Sequence, residues 1–129
     1  MKPLVYKKAR RRRGKARPPR LKMHVTKGDL VLVLSGDDKG KRGKVLKAVP
    51  AKRRVVVEGI NIVKRHRKAR QQGEQSEIVS FPAAIAVSKV MLIDPKTDAP
   101  TRVRRRVDTD GTVERVSVRS GAPIPRSRS

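Results

Sequence analysis

Apolar residues in this chain recur with a period of two, in runs too short to make a helix. The first run, Leu30–Leu34, puts Leu30, Leu32 and Leu34 on one face and Val31 and Val33 on the other. A strand apolar on both sides belongs at the centre of a sheet or under cover, not at a lone edge. Further strands are read at Lys44–Val49, Arg53–Gly59, Ser88–Asp94, Thr101–Val107 and Thr112–Arg119. Turn signals separate them at Lys27-Gly28-Asp29, Pro50-Ala51 and Asp110-Gly111. No window carries an amphipathic helix of ordinary length. Short strands punctuated in this way specify an all-β barrel or sandwich. Within Thr101–Val107 the alternation fails at Arg105, which either sits at a barrel rim or marks a bulge that resets the phase.

Only Tyr6 and Phe81 are aromatic, so the core must be built from Val, Leu and Ile and must be small. Residues 1–22 hold 11 cations, three prolines and no acid, a composition that cannot offset its own ordering entropy. They read as a basic extension, disordered alone. Residues 23–63 then form the barrel core and 64–82 a basic, polar loop or hairpin. Residues 83–119 form a C-terminal β-rich part with strands available to complete the barrel, and 120–129 a flexible tail. The start lacks the apolar stretch of a secretory signal, and no apolar run is long enough for a transmembrane helix. It is Arg-rich and acid-free, as organellar targeting segments are, but Pro18 and Pro19 interrupt any helix and serine is absent from it. The chain has no cysteine, which excludes disulfide scaffolds, thiol catalysis and Cys-ligated zinc.

With 35 Lys and Arg against 11 Asp and Glu, the net charge is +24, which calls for a polyanionic partner. The segment Gly36–Lys44, GDDKGKRGK, ties Lys39, Lys41, Arg42 and Lys44 to Gly36, Gly40 and Gly43. Bare peptide N–H groups rimmed by cations make an anion-binding concavity. The competing reading is a solvated β-turn whose glycines serve only its geometry. The pattern is not a nucleotide-binding P-loop, since Val45 stands where that motif needs Ser or Thr. A second cluster runs from Lys64 to Arg70, with Arg65, His66, Arg67 and Lys68 among seven residues free of acid. Asn61 beside Gly59 suits the bend before it. Arg102, Arg104 and Arg106 project to one side of their strand as a cationic stripe, and Arg10, Arg11, Arg12 and Arg13 form a fourth cluster.

Such dense, sequence-blind charge is what phosphate backbone requires. With so few aromatics, stacking cannot dominate, which disfavours single-strand binders and favours folded RNA; duplex DNA fits the charge equally well. His24 and His66 are isolated, so no metal site is expected. The acidic pairs Asp37/Asp38 and Asp108/Asp110 lie at turns and give no catalytic constellation. No cofactor and no small-molecule substrate are implied.

The segment KGDLVLVLSGDDKGKRGKVLKAV resembles the KOW motif. Together with VVVEGINIVKRH and SKVMLIDPKT…PTRVRR, it is similar to the bacterial large-subunit ribosomal L-twenty-four family. The resemblance spans about Lys22 to Val107. It implies an SH3-like barrel around the KOW segment followed by a further β-rich part. It also implies a non-catalytic protein that binds the 5′ region of large-subunit (23S-type) rRNA, acts early in subunit assembly and lies near the peptide exit tunnel. Its partners would be that rRNA and neighbouring large-subunit proteins, in the cytoplasm or an organellar ribosome, with no membrane role. Carried onto this chain, Lys27-Gly28-Asp29 opens the motif, Gly36, Lys39-Gly40-Lys41 and Gly43-Lys44 form its loop, and Glu58-Gly59-Ile60-Asn61 is the turn before the basic run. Asp37 stands where the family more often has a cation, and Lys89 replaces a frequent asparagine. The alternatives are a KOW transcription factor, which would need a further folded domain, and a generic nucleic-acid-compacting protein.

Overall fold

The computed structural model describes residues 22–126. Its strands are β1 (Leu30–Val33), β2 (Arg42–Val49), β3 (Arg54–Val57), β4 (Ile62–Arg67), β5 (Glu77–Pro82), β6 (Ile85–Ala86), β7 (Val90–Ile93), β8 (Pro100–Thr101), β9 (Val103–Val107) and β10 (Val113–Ser117). Six of them form one sheet in the order β6-β3-β2-β1-β7-β8, antiparallel at each pairing. Two separate ribbons, β4–β5 and β9–β10, stand beside it. The first apolar run of the sequence, β1, lies between β2 and β7 at the middle of the sheet.

Only one face of β1 is dry. Val31 and Val33 are buried with Val25, Val45, Val55, Val57, Ile60, Val90 and Leu92, while Leu30 and Leu34 are exposed. Branched valines fit the crowded inner face of a small, pleated sheet. The register slips between Val45 and Lys47, leaving Leu46 exposed on a bulge. Bulges of this kind bend a strand and increase its twist.

Three departures from the sequence reading have local causes. The boundary expected at 63/64 falls inside β4, because the hairpin ladder starts at Ile62↔Pro82. The strand expected at Thr101–Val107 divides at Arg102: β8 pairs with β7, β9 pairs with β10, and Arg105 is exposed. The tail expected to be flexible from residue 120 is instead docked through Pro125. The N–H of Ser117 donates to Ala122 O, that of Ile124 to Arg115 O, and the Ile124 side chain is buried. Residues 127–129 and the basic extension through residue 21, with Arg10–Arg13, lie outside the described residues.

The β9–β10 ribbon is fastened to the sheet by polar side chains. Arg115 is 3% exposed and forks onto Asp29, with Nη1 2.6 Å from Oδ2 and Nη2 2.9 Å from Oδ1. The same guanidinium donates to His24 O at 2.9 Å and Pro125 O at 3.0 Å. Asp29 also accepts the Thr26 N–H at 2.7 Å, which closes the turn into β1. Two residues along β10, the buried Ser117 hydroxyl donates to buried Asp94 at 2.7 Å and shares a 3.0 Å hydrogen bond with Thr101. Hydrogen bonds from Ser120, the Lys96 N–H and Ser117 hold the Asp94 carboxyl well below the usual carboxylate range, against the opposing effect of burial. Its depressed pKa means that this contribution is present at neutral pH and fades only in strong acid.

Gly43, opposite Val31 in the ladder, is required by proximity. A Cβ there would lie 2.6 Å from Val57 Cγ1 and 2.7 Å from the Glu58 carbonyl oxygen. Gly43→Ala is therefore expected to lower stability by about 1–3 kcal/mol, the usual cost of overpacking. Asp29→Asn or Arg115→Met, each stranding a buried partner, should cost about 3–5 kcal/mol. Urea unfolding followed by far-UV circular dichroism checks both; an unchanged midpoint for Arg115→Met would remove the ion pair from the account of stability.

Candidate nucleic-acid interface

The β1–β2 loop is closed by its own backbone. The N–H groups of Lys39, Gly40 and Lys41 donate to Gly36 O, Val33 O and Asp38 O at 3.2, 2.9 and 3.1 Å. These three donors are spent, so at Lys39, Gly40 and Lys41 the loop offers no bare N–H group to an anion. Gly36 and Gly40 supply positive φ for the turn (96° and 83°), and Gly43 supplies close packing. What the loop offers to an anion is side-chain charge. Lys39 and Lys44 are exposed without an acidic partner among the described residues, while Lys41 pairs with Asp38 and Arg42 with Asp98. Both pairs are solvent-exposed, and exposed pairs of this kind are weak. A phosphate can displace such a carboxylate.

Asp38 has a second task. Its Oδ2 accepts the Asn61 backbone N–H at 2.8 Å, which ties the loop to the root of the β4–β5 hairpin. The bonds from Lys41 and Asn61 hold its carboxyl below the ordinary range. Asn61 itself is at φ 52° and its side-chain amide donates to Ala83 O at 3.4 Å, so it shapes the bend. The sequence reading placed both Asn61 and Gly43 among the binding residues; the structure gives each a local structural task.

On the hairpin, the ladder pairs Val63 with Phe81, Lys64 with Ser80, Arg65 with Val79, His66 with Ile78 and Arg67 with Glu77. Alternation then puts Arg65 and Arg67 on one face and Lys64 and His66 on the other, so both faces carry cations. Arg67 reaches Glu77 at 3.5 Å; Lys64, Arg65 and Lys68 are exposed with no acidic partner among the described residues. The stripe on β9 is uneven. Arg104 stands opposite Val116 with no acidic partner among the described residues, whereas Arg106 bonds Glu114 at 2.9 Å and reaches Asp108 at 3.5 Å. Arg102 and Arg119 are exposed and flank an apolar recess that includes Met91 and Val118. Lys27 is exposed at the turn before β1.

Arg119, Arg54 and Lys89 are exposed cations outside the sequence-derived set; Arg54 and Lys89 line a recess between the loop and the hairpin root. Arg119 and Lys89 are single cations in their local sequence, whereas Arg54 ends the run Lys52-Arg53-Arg54, a signal that the sequence did offer. Among the described residues, no cluster of His, Asp and Glu could hold a metal, and no helix is long and apolar enough to cross a membrane.

Comparison with known proteins matches this architecture in both parts. Residues 27–58 match the KOW motif, and residues 60–124 match the family described as large ribosomal subunit protein uL24, C-terminal domain. A large ribosomal subunit protein uL24 of Macrococcus caseolyticus is 54% identical over 102 residues, covering 79% of this chain and 99% of that protein. Its counterpart in Lysinibacillus sphaericus is 55% identical over 102 residues, with the same coverage. That of Listeria monocytogenes is 54% identical over 104 residues, covering 81% of this chain and 100% of its own length. The KOW sheet, the C-terminal ribbon and relatives more than half identical along nearly their whole length agree: the chain belongs to the uL24 family of large ribosomal subunit proteins.

Proposed function

We propose that this chain is a non-catalytic constituent of the large ribosomal subunit that binds large-subunit rRNA, acts early in subunit assembly and lies near the peptide exit tunnel. One observation carries the reading of its surface. Five of its 11 acids are engaged in fixing the fold or in pairing with its own cations. Asp29 and Asp94 latch the C-terminal ribbon, Asp38 pins the loop, and Glu114 and Asp108 hold Arg106. The surplus of cations faces outward on three rigid supports: Lys39 on the β1–β2 loop with Lys44 on β2, Lys64, Arg65 and Lys68 on the hairpin, and Arg102 and Arg104 beside and on β9. Side chains fixed at such separations fit phosphates on several RNA strands that would otherwise repel one another. The KOW transcription-factor reading accounts for residues 27–58 alone and leaves the C-terminal match unexplained.

The ranking of these cations has a direct test in the salt dependence of binding to a transcript of the 5′ region of large-subunit rRNA. Lys39→Gln, Lys44→Gln and Arg65→Gln should each flatten the slope of log affinity against log salt by about 0.7–0.9. Arg106→Gln should change it far less, because Glu114 and Asp108 already hold that charge. None of these exposed changes should move the urea midpoint. Equal slopes for all four variants would show that the protein's charge acts collectively, with no one cation set above another. Failure of the unaltered chain to co-sediment with large-subunit particles at low salt would end the functional reading itself.

A further inference from the structure

The β4–β5 hairpin carries apolar surface that its own fold does not cover. Ile62, Ile78, Val79 and Phe81 are all exposed, Ile78 by 61%. A two-stranded ribbon has too little core to be stable alone in water, and exposed apolar residues grouped on one element mark a contact surface. On one face, Val79 and Phe81 line a groove of about 610 Å³ whose other walls include Arg65, Arg67, Lys68 and Arg70. Phe81 is the sole aromatic residue from position 22 onward and is 38% exposed. Because Val63 pairs with Phe81 and Arg65 with Val79, Arg65 is the diagonal neighbour of the Phe81 ring on the same face. Diagonal neighbours in a ladder lie about 7–8 Å apart at the backbone, within reach of long side chains. Arg65 has no acidic partner among the described residues.

We propose that this groove seats one unpaired RNA base, stacked on the Phe81 ring and flanked by the Arg65 guanidinium, with the adjoining phosphate on the cations of the rim. The inference rests on the RNA-binding function proposed above and adds a different kind of contact to it. A ring floor, an aliphatic wall and a cationic rim match the two halves of a nucleotide, its planar apolar base and its anionic phosphate. Aromatic rings and Arg guanidinium planes are the two surfaces on which proteins stack splayed-out RNA bases. An acidic peptide would satisfy the rim but would leave the ring without a planar partner.

The chain has no tryptophan, so Phe81→Trp in the full-length protein is a single fluorescent reporter at the site. Its emission should be quenched on binding the 5′-region rRNA transcript and should stay unquenched on binding a fully paired RNA duplex. Phe81→Leu should weaken transcript binding by about 5- to 100-fold, the range for loss of one stacked base, with an unchanged salt slope. Arg65→Gln should weaken binding and also flatten the slope. Equal quenching by transcript and duplex, or Phe81→Leu binding the transcript as tightly as the parent chain, overturns the stacking site. Quenching that appears only when large-subunit proteins are added to the transcript also overturns it, and assigns the groove to a protein neighbour. If the unaltered chain does not bind the transcript at all, the failure belongs to the functional reading and the base site falls with it.

Discussion

The two-toothed contact between Arg115 and Asp29 is the joint on which the rest of the molecule hangs. Asp29 stands at the entry to the central strand of the sheet, and Arg115 comes from the last ribbon, so the pair ties the first turn of the described body to its final strand. Buried charges are costly to desolvate, and this one is tolerable because both carboxylate oxygens are engaged and the guanidinium has two carbonyls besides. An apolar joint of equal size would slide. A forked ion pair has one geometry, and the Asp94–Ser117–Thr101 network two residues along β10 fixes the ribbon's angle at a second point. A chain with only one aromatic residue in the described body has little apolar surface with which to dock a ribbon, and polar latches take its place.

Much of the sheet was legible because period-two alternation reports burial directly when one face is dry. The runs around β1, β2, β3 and β7 follow that rule. The final strand inverts it. In the sequence Thr112–Arg119 the apolar side is Val116 and Val118, yet Val118 is exposed and the buried residues are Arg115 and Ser117. The pattern misleads there because the surface that β10 meets is itself polar, and no single-strand reading can supply the partner's chemistry. The pairing of Arg106 with Glu114 was, by contrast, within reach. The Asp110-Gly111 turn brings both to the same end of the ribbon, and the observed register, centred on Asp110, sets them opposite.

The glycine-rich loop shows a different limit. Its composition is compatible with an anion cradle and with a self-satisfied turn, and the two differ only in where the N–H groups point. In the folded chain those of Lys39, Gly40 and Lys41 point inward, to the carbonyls of Gly36, Val33 and Asp38. The lysines keep their charge in either case, so at those three positions what the loop presents is side-chain charge. Gly43 is likewise legible as a glycine that something requires, but the requirement is the Val57–Glu58 backbone pressed against it.

The Arg115 guanidinium holds carbonyls from His24 and Pro125 at once, so the two ends of the described body are stitched to a single point. The first and last segments of the described body are therefore held, or let go, together, and a change at that one guanidinium is felt at both.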